Sequence, residues 1–259
     1  MKRFWVLFAA LFLSVLVMDA RTVKKVYDID DFTGVKVTNA FEVSIEHSDE
    51  YRVEIEVSEE FLPYLLVKNR GGVLELDFTR LPFRLRQKER NRIAQAVISM
   101  PTLTYLELSG ASRVTSNDQF ANTMNKFTVS LKGGSVIANR NMKAPSVEIE
   151  MNGASKAVMS LRTSDVDATL TGASRLDLTG ETTELDITAK RASKVDASQF
   201  DAEDVSVIAS GASTVDVRVL QVLTVNLTGA SKCRYFGDTD FIKIRADKVT
   251  GASSFKHQN

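Results

Sequence analysis

Apolar residues recur at every second position in short runs, and the runs return at near-constant intervals. In "VEIEMNGASKAVMSL", Val147, Ile149 and Met151 alternate with Glu148 and Glu150. After Gly153-Ala154-Ser155 the alternation resumes at Ala157. A period of two marks an extended strand with one face turned inward. The tripeptide or a variant occurs eight times, starting at Gly110, Gly133, Gly153, Gly172, Arg191, Gly211, Gly229 and Gly251, with steps of 18 to 23 residues. Aligned on these starts, the sixth residue before is Phe127, Val147, Val166, Leu185, Val205 or Leu223. The fourth before is Leu106, Val129, Ile149, Ala168, Ile187, Val207 or Val225. Four after come Val114, Ile137, Ala157, Leu176, Val195, Val215 and Cys233. Each copy therefore contributes one strand before the triplet and one after it.

Two strands cannot bury their apolar faces alone, but stacked copies can. The pattern predicts an all-β fold, a single-stranded parallel β-helix or β-solenoid with rungs of about 20 residues and ~4.8 Å between them. Corners of successive rungs lie on top of one another, which explains the small residues. Glycine permits the bend and the close approach, and a serine hydroxyl can satisfy corner backbone groups. Arg191 departs from this rule: either the first corner position does not need positive φ, or that rung is distorted. Cys233 falls in an inward column and is expected to be a buried, inert thiol.

Before Leu106 the triplet is absent but strand patterning continues through Val35, Val37, Val43, Ile45, Val53, Ile55 and Val57. Residues 21–105 are expected to form a β-rich cap continuous with the 106–259 repeat, the whole being one domain. Within the cap Ser58 could start a helical turn through Phe61, and "LPFRLRQKERNR" is expected to be a basic surface loop. At the far end Arg245 and Asp247 occupy positions six and four before Gly251 that are otherwise apolar. Inward charges discourage edge pairing, so the last rung is expected to terminate the stack and leave a monomer or weak oligomer.

Charge adds little to the fold and excludes one function class. Lys+Arg and Asp+Glu each total 33, so the chain lacks the basic excess of a nucleic-acid binder. Lys2 and Arg3 precede the apolar run Phe4 to Met18, followed by Asp19, Ala20 and Arg21. That order is a secretory signal, with cleavage expected after Ala20; an uncleaved anchor is the competing reading. The mature chain is expected to be exported, to the periplasm, the outer-membrane surface or the medium, without a transmembrane span.

Four further features carry the family resemblance: "DFTGVKVTNAFEVSIEHSDEYRVEIEV", the strand "GGVLELDF", the stretch "ISMPTLTYLELSGAS", and the repeated "TGAS" and "SGAS" copies. Together they resemble the auto-transporter adhesin head domain, the GIN domain, of exported proteins of Bacteroides-type bacteria (Bacteroidetes). The likeness runs roughly from Val26 to Ser253. It implies a right-handed parallel β-helix-like fold and an envelope or surface address, and it brings no catalytic residues with it.

No metal-ligand spacing, Ser-His pairing or phosphate-cradling loop appears in the sequence. No catalytic residue, cofactor or metal is expected. Outward positions five and seven before the triplet read Glu148, Asp167, Asp186 and Asp165, Glu184, Asp204, joined by Glu150. Stacked in register, they form an acidic wall that could bind cations or a basic partner, or simply be a solvated face. A second outward column holds Arg113, Lys156, Arg175, Lys194 and Lys232, beside Asp177, Asp196 and Asp216. The leading functional expectation is a non-enzymatic, adhesin-like module for a surface protein or glycan. A polysaccharide lyase or hydrolase is the alternative that β-helices suggest, although sugar sites usually set aromatics beside paired carboxylates. The rungs between Gly110 and Ser231 offer only Phe120, Phe127 and Phe200 as phenylalanines for that purpose. A periplasmic assembly or sensing component is the third reading.

Overall fold

The computed structural model describes residues 21–258 except positions 117 and 123; the expected signal, residues 1–20, lies outside the described residues. Seven strands form the N-terminal part: β1 (Thr22–Tyr27), β2 (Gly34–Val37), β3 (Glu42–His47), β4 (Arg52–Ser58), β5 (Leu65–Arg70), β6 (Val73–Phe78) and β7 (Ala94–Met100). The repeat begins with β8 (Tyr105–Leu108), β9 (Arg113–Thr115), β10 (Gln119–Ala121), β11 (Phe127–Leu131) and β12 (Val136–Lys143). It continues through β13 (Ser146–Met151), β14 (Lys156–Arg162) and β15 (Asp165–Leu170). Then come three long strands, β16 (Arg175–Ala189), β17 (Lys194–Ala209) and β18 (Thr214–Leu227), and finally β19 (Lys232–Phe236), β20 (Lys243–Val249) and β21 (Ser254–His257).

The strands stack in parallel into a β-solenoid of about 7 turns with rungs of about 20 residues. One wall runs β6, β2, β8, β11, β13, β15, then the second halves of β16, β17 and β18, then β20. The other runs β7, β3, β9, β12, β14, then the first halves of β16, β17 and β18, then β19 and β21. The register keeps like on like: Val147, Val166, Leu185, Val205 and Leu223 form one column, and all five are buried. This is the inward column read from the sequence.

The triplet corners stack as a second, backbone-bonded column. Gly153 has φ 84°, and a Cβ placed on it would lie 2.6 Å from the carbonyl oxygen of Gly133. The corner thus needs both a left-handed φ and an absent side chain. The N–H of Ala154 donates to Gly133 at 2.7 Å, Ala173 to Gly153 at 2.7 Å, and Ala230 to Gly211 at 2.6 Å. Every corner serine from Ser112 to Ser231 is buried and donates its hydroxyl to the carbonyl three residues earlier, at 2.7–2.9 Å. Each such bond satisfies a buried hydroxyl whose orphaning would cost about 1–3 kcal/mol.

Arg191 has φ 69°, so the first corner position does need positive φ and arginine adopts it. A left-handed conformation costs an L-residue ~1–2 kcal/mol. The bond from Ala192 to Gly172 beneath it is 2.9 Å, against 2.5–2.7 Å at the next three corners. The rung gives slightly where a Cβ must fit.

The column also begins earlier than the triplets. Asn39 (φ 60°) and Ala40 (φ 56°) turn the β2–β3 corner, and a Cβ on Gly110 would meet the Asn39 nitrogen at 3.0 Å. Phe41 replaces serine there and stacks on Phe78 at 5.0 Å. Beyond this rung the chain turns antiparallel: β4 pairs with β7, β1 with β4, and β5 with β6. A 3-10 turn, Glu59–Tyr64, buries Phe61. Ser58 does not cap it; its hydroxyl accepts the Ile93 N–H at 3.0 Å. The stretch expected to be a basic loop instead holds the short helix α1 (Phe83–Arg86) and a second 3-10 turn, Glu89–Asn91, pinned by buried Leu81 and Leu85. Arg92 lies over Phe78 at 4.2 Å and donates to the Asn39 carbonyl, closing the first corner.

The other end corrects an expectation. β20 keeps register with β18 as Leu223 to Ile244 and Val225 to Ala246, then slips so that Leu227 meets Val249. The extra residue is Asp247, a β-bulge. Counting back from Gly251 by twos across a bulge misassigns every earlier position. Ile244 and Ala246, not Arg245 and Asp247, continue the inward columns.

Candidate functional site: the acidic wall and its corner groove

In-register pairing brings the acidic residues together in two short columns. Asp165 faces Glu184, which faces Asp204; Glu148 faces Asp167, which faces Asp186. Glu150 stands apart, next to Thr169. Lys126 reaches Glu148 at 2.8 Å and relieves one edge. Asp167 has its pKa raised, first by burial and then by the charges of Asp186, Glu148 and Asp165. Among the described residues, no three histidine, cysteine, aspartate or glutamate side chains gather closely enough to hold a metal ion. The wall is a strip of carboxylates at strand spacing, not a chelating cage.

The second corner of the rung opens directly onto this wall. The pairs Ala144-Pro145, Thr163-Ser164 and Thr182-Thr183 turn the chain from one wall to the other, immediately before Asp165 and Glu184. They form the floor of a groove of about 500 Å³. One side is a charge ladder in register, Lys143, Arg162, Glu181 and Asp201, which Arg218 continues beyond the groove. Arg162 pairs with Glu181 at 2.8 Å and Arg218 with Asp201 at 3.6 Å. Glu203, held by Gln221 at 2.8 Å, and exposed Leu220 complete the lining at one end. Asn122 lies at the other, 4% exposed, with its side-chain N–H₂ unpartnered among the described residues. Thr163 and Thr182 spend their hydroxyls on corner carbonyls, which fixes the backbone of the floor. Side chains of both charges, hydroxyls and an amide beside a small apolar patch suit a polar, extended ligand.

Sequence reading missed this groove. Its signal was present but weak, a pair of small or hydroxyl residues ten to twelve positions after Gly133, Gly153 and Gly172 that the other triplet starts do not share. Without a fixed tripeptide it does not stand out from strand patterning.

The remaining candidates resolve as packing. Cys233 is buried, and burial pushes its thiol up to about 12. Phe120, Phe127 and Phe200 are all buried, so none of the three offers a sugar-stacking platform. In the basic column, Arg175 pairs with Asp177 on its own strand at 2.9 Å, while in the column beside it Arg234 reaches across a rung to buried Asp216. Among the described residues no helix is long and apolar enough to cross a membrane.

Comparison with known proteins places this geometry in a group. The family model described as "Putative auto-transporter adhesin, head GIN domain" matches residues 31–239. Among solved structures, a putative adhesin from Parabacteroides distasonis superposes with TM-score 0.81 at 15% identity, over 93% of this chain and 98% of that one. A protein described as a putative lipid binding protein from the same organism gives 0.80 at 14%, with the same coverage. A putative adhesin from Parabacteroides merdae gives 0.75 at 16%, again over 93% and 98%. At these identities the likeness is one of fold. No curated protein matches the chain.

Proposed function

The chain belongs to the auto-transporter adhesin head GIN-domain family, and from that premise we propose that it is an exported, non-enzymatic binding module that grips a surface protein or glycan. The observation that supports this most is the joining of the corner groove to the acidic wall. The two together present carboxylates, hydroxyls and an amide at one-rung intervals along a rod whose backbone is bonded from corner to corner. Recognition of an extended polymer needs such a repeating, rigid display, because pre-organisation removes the cost of ordering the site. The family and the three structural neighbours described above carry adhesin or lipid-binding names. Export to the periplasm or cell surface follows the leader read at residues 1–20 and the neighbours' descriptions.

The test is a binding array of glycans, envelope proteins and lipid vesicles probed with residues 21–259. A ligand class should bind, and Asp167→Asn with Asp186→Asn, or Thr183→Arg in the groove, should weaken it. Binding indifferent to both changes would remove the site from the account. Depolymerisation of an acidic polysaccharide would overturn the non-enzymatic reading.

A further inference from the structure

The inward columns do not end under a cover at the C-terminal end. β20 and β21 are bonded on one side, to β18 and β19, and on the other side neither has a partner among the described residues. The last apolar layer lies bare: Ile244 is 39% exposed, Val249 42%, and Phe241 at its rim 77%. Phe255 is half-buried, stacked on Tyr235 at 5.0 Å. The bulge at Asp247 keeps Arg245 out of the inward columns, so no charge blocks the layer from within. Beside it runs a polarised segment. Asp238 and Asp240 open it, and Lys243, Arg245 and Lys248 follow on β20. None of these five makes an ion pair among the described residues, and all are exposed.

We propose that this end is a self-association surface on which a second copy of the chain docks tail to tail. A two-fold axis sets the two 238–248 segments antiparallel, and the acidic start of each then meets the basic continuation of the other. The segment is complementary to itself, as an isologous interface requires. The paired layers bury Ile244, Val249 and Phe241 from both copies, and the unpaired edge groups of β20 and β21 gain partners. Head-to-tail growth is disfavoured, because the opposite end is closed by antiparallel strands whose outermost members carry Lys24, Lys25, Lys68 and Arg70. Association therefore stops at two.

Sedimentation equilibrium of residues 21–259 at increasing protein concentration tests this. A monomer–dimer equilibrium is expected. Ile244→Asp, at a position exposed enough to leave the fold intact, should weaken the dimer about tenfold or more, with thermal unfolding unchanged as the control for folding. Asp238→Lys with Asp240→Lys should weaken it similarly. Adding Lys243→Glu and Lys248→Glu to that pair should restore affinity to within about threefold. A monomer at every concentration, species larger than a dimer, an Ile244→Asp chain that dimerises as the wild type does, or failure of the combined charge swap would each overturn the proposal.

Discussion

The two ends of the rod solve one problem in opposite ways. At the N-terminal end the strand direction reverses. β4 runs antiparallel to the stack and β1 antiparallel to β4, the 3-10 turn lays Phe61 over the core, and Arg92 closes the first corner. At the C-terminal end the rungs keep their direction and stop, leaving Ile244 and Val249 in the open. A parallel stack cannot cap itself, since each added rung exposes the same edge again. Only a change of direction, or another molecule, ends the series. The chain uses the first device at one end, and the described residues do not show it at the other.

The sharpest way to break this comparison is to cut equivalent aromatics. Phe61→Ala should cost about 3–5 kcal/mol, as for a fully buried ring. Phe255→Ala, half-exposed on the last layer, should cost about 1–2 kcal/mol. Urea unfolding of both variants as monomers checks it, and equal losses would mean the C-terminal layer is as well covered as the cap. Corner glycines give the next largest contrast. Gly172→Ala combines left-handed strain with a Cβ driven into the Gly153 carbonyl, and it should cost about 2–4 kcal/mol. Gly251→Ala meets a similar carbonyl, but on a rung free to lift away, and should cost about half as much. Native-state hydrogen exchange should show the same gradient, with amides of β20 and β21 opening first and those of β16 and β17 near the global limit.

Two smaller effects test the middle of the rod, where neither end interferes. Arg191→Gly should stabilise by about 0.5 kcal/mol, the relief of a left-handed arginine less the entropy of glycine. Asp167 has a folded pKa raised above its unfolded value of about 3.9. Its contribution is therefore fully present below that unfolded pKa and is lost as pH rises through the raised folded one. Asp167→Asn should accordingly match the wild type at about pH 3 and gain on it toward neutrality, by about 0.5 kcal/mol once solvent screening is allowed for. A difference independent of pH would mean that the stacked carboxylates do not repel one another.

Much of the middle was legible because side-chain spacing and backbone need coincide there. The glycine, alanine and serine of each corner have separate physical duties, so the triplet survives as a recognisable string. The same duties are met by Asn39-Ala40-Phe41, but asparagine supplies the left-handed turn and a phenylalanine the packing. The string is gone while the geometry stays. Asp247 was illegible for another reason: a bulge adds a residue without changing composition, and period-two counting carries the error backward along the strand. The groove was missed because the second corner constrains only size and hydroxyl content. The acidic wall was plain in the sequence, since register alone creates it.

The corner column has a mechanical consequence. Nearly all backbone bonds in the stack run along the rod, between one rung and its neighbours. A pull applied along that axis separates two rungs by peeling one ladder, and the rod yields at its weakest step. A pull applied across the rungs must slide whole strands past one another and break a ladder's bonds together. A partner gripped on the acidic wall loads the rod crosswise. A partner held at the open end loads it lengthwise and would let go, or take the last rung with it, at far lower force.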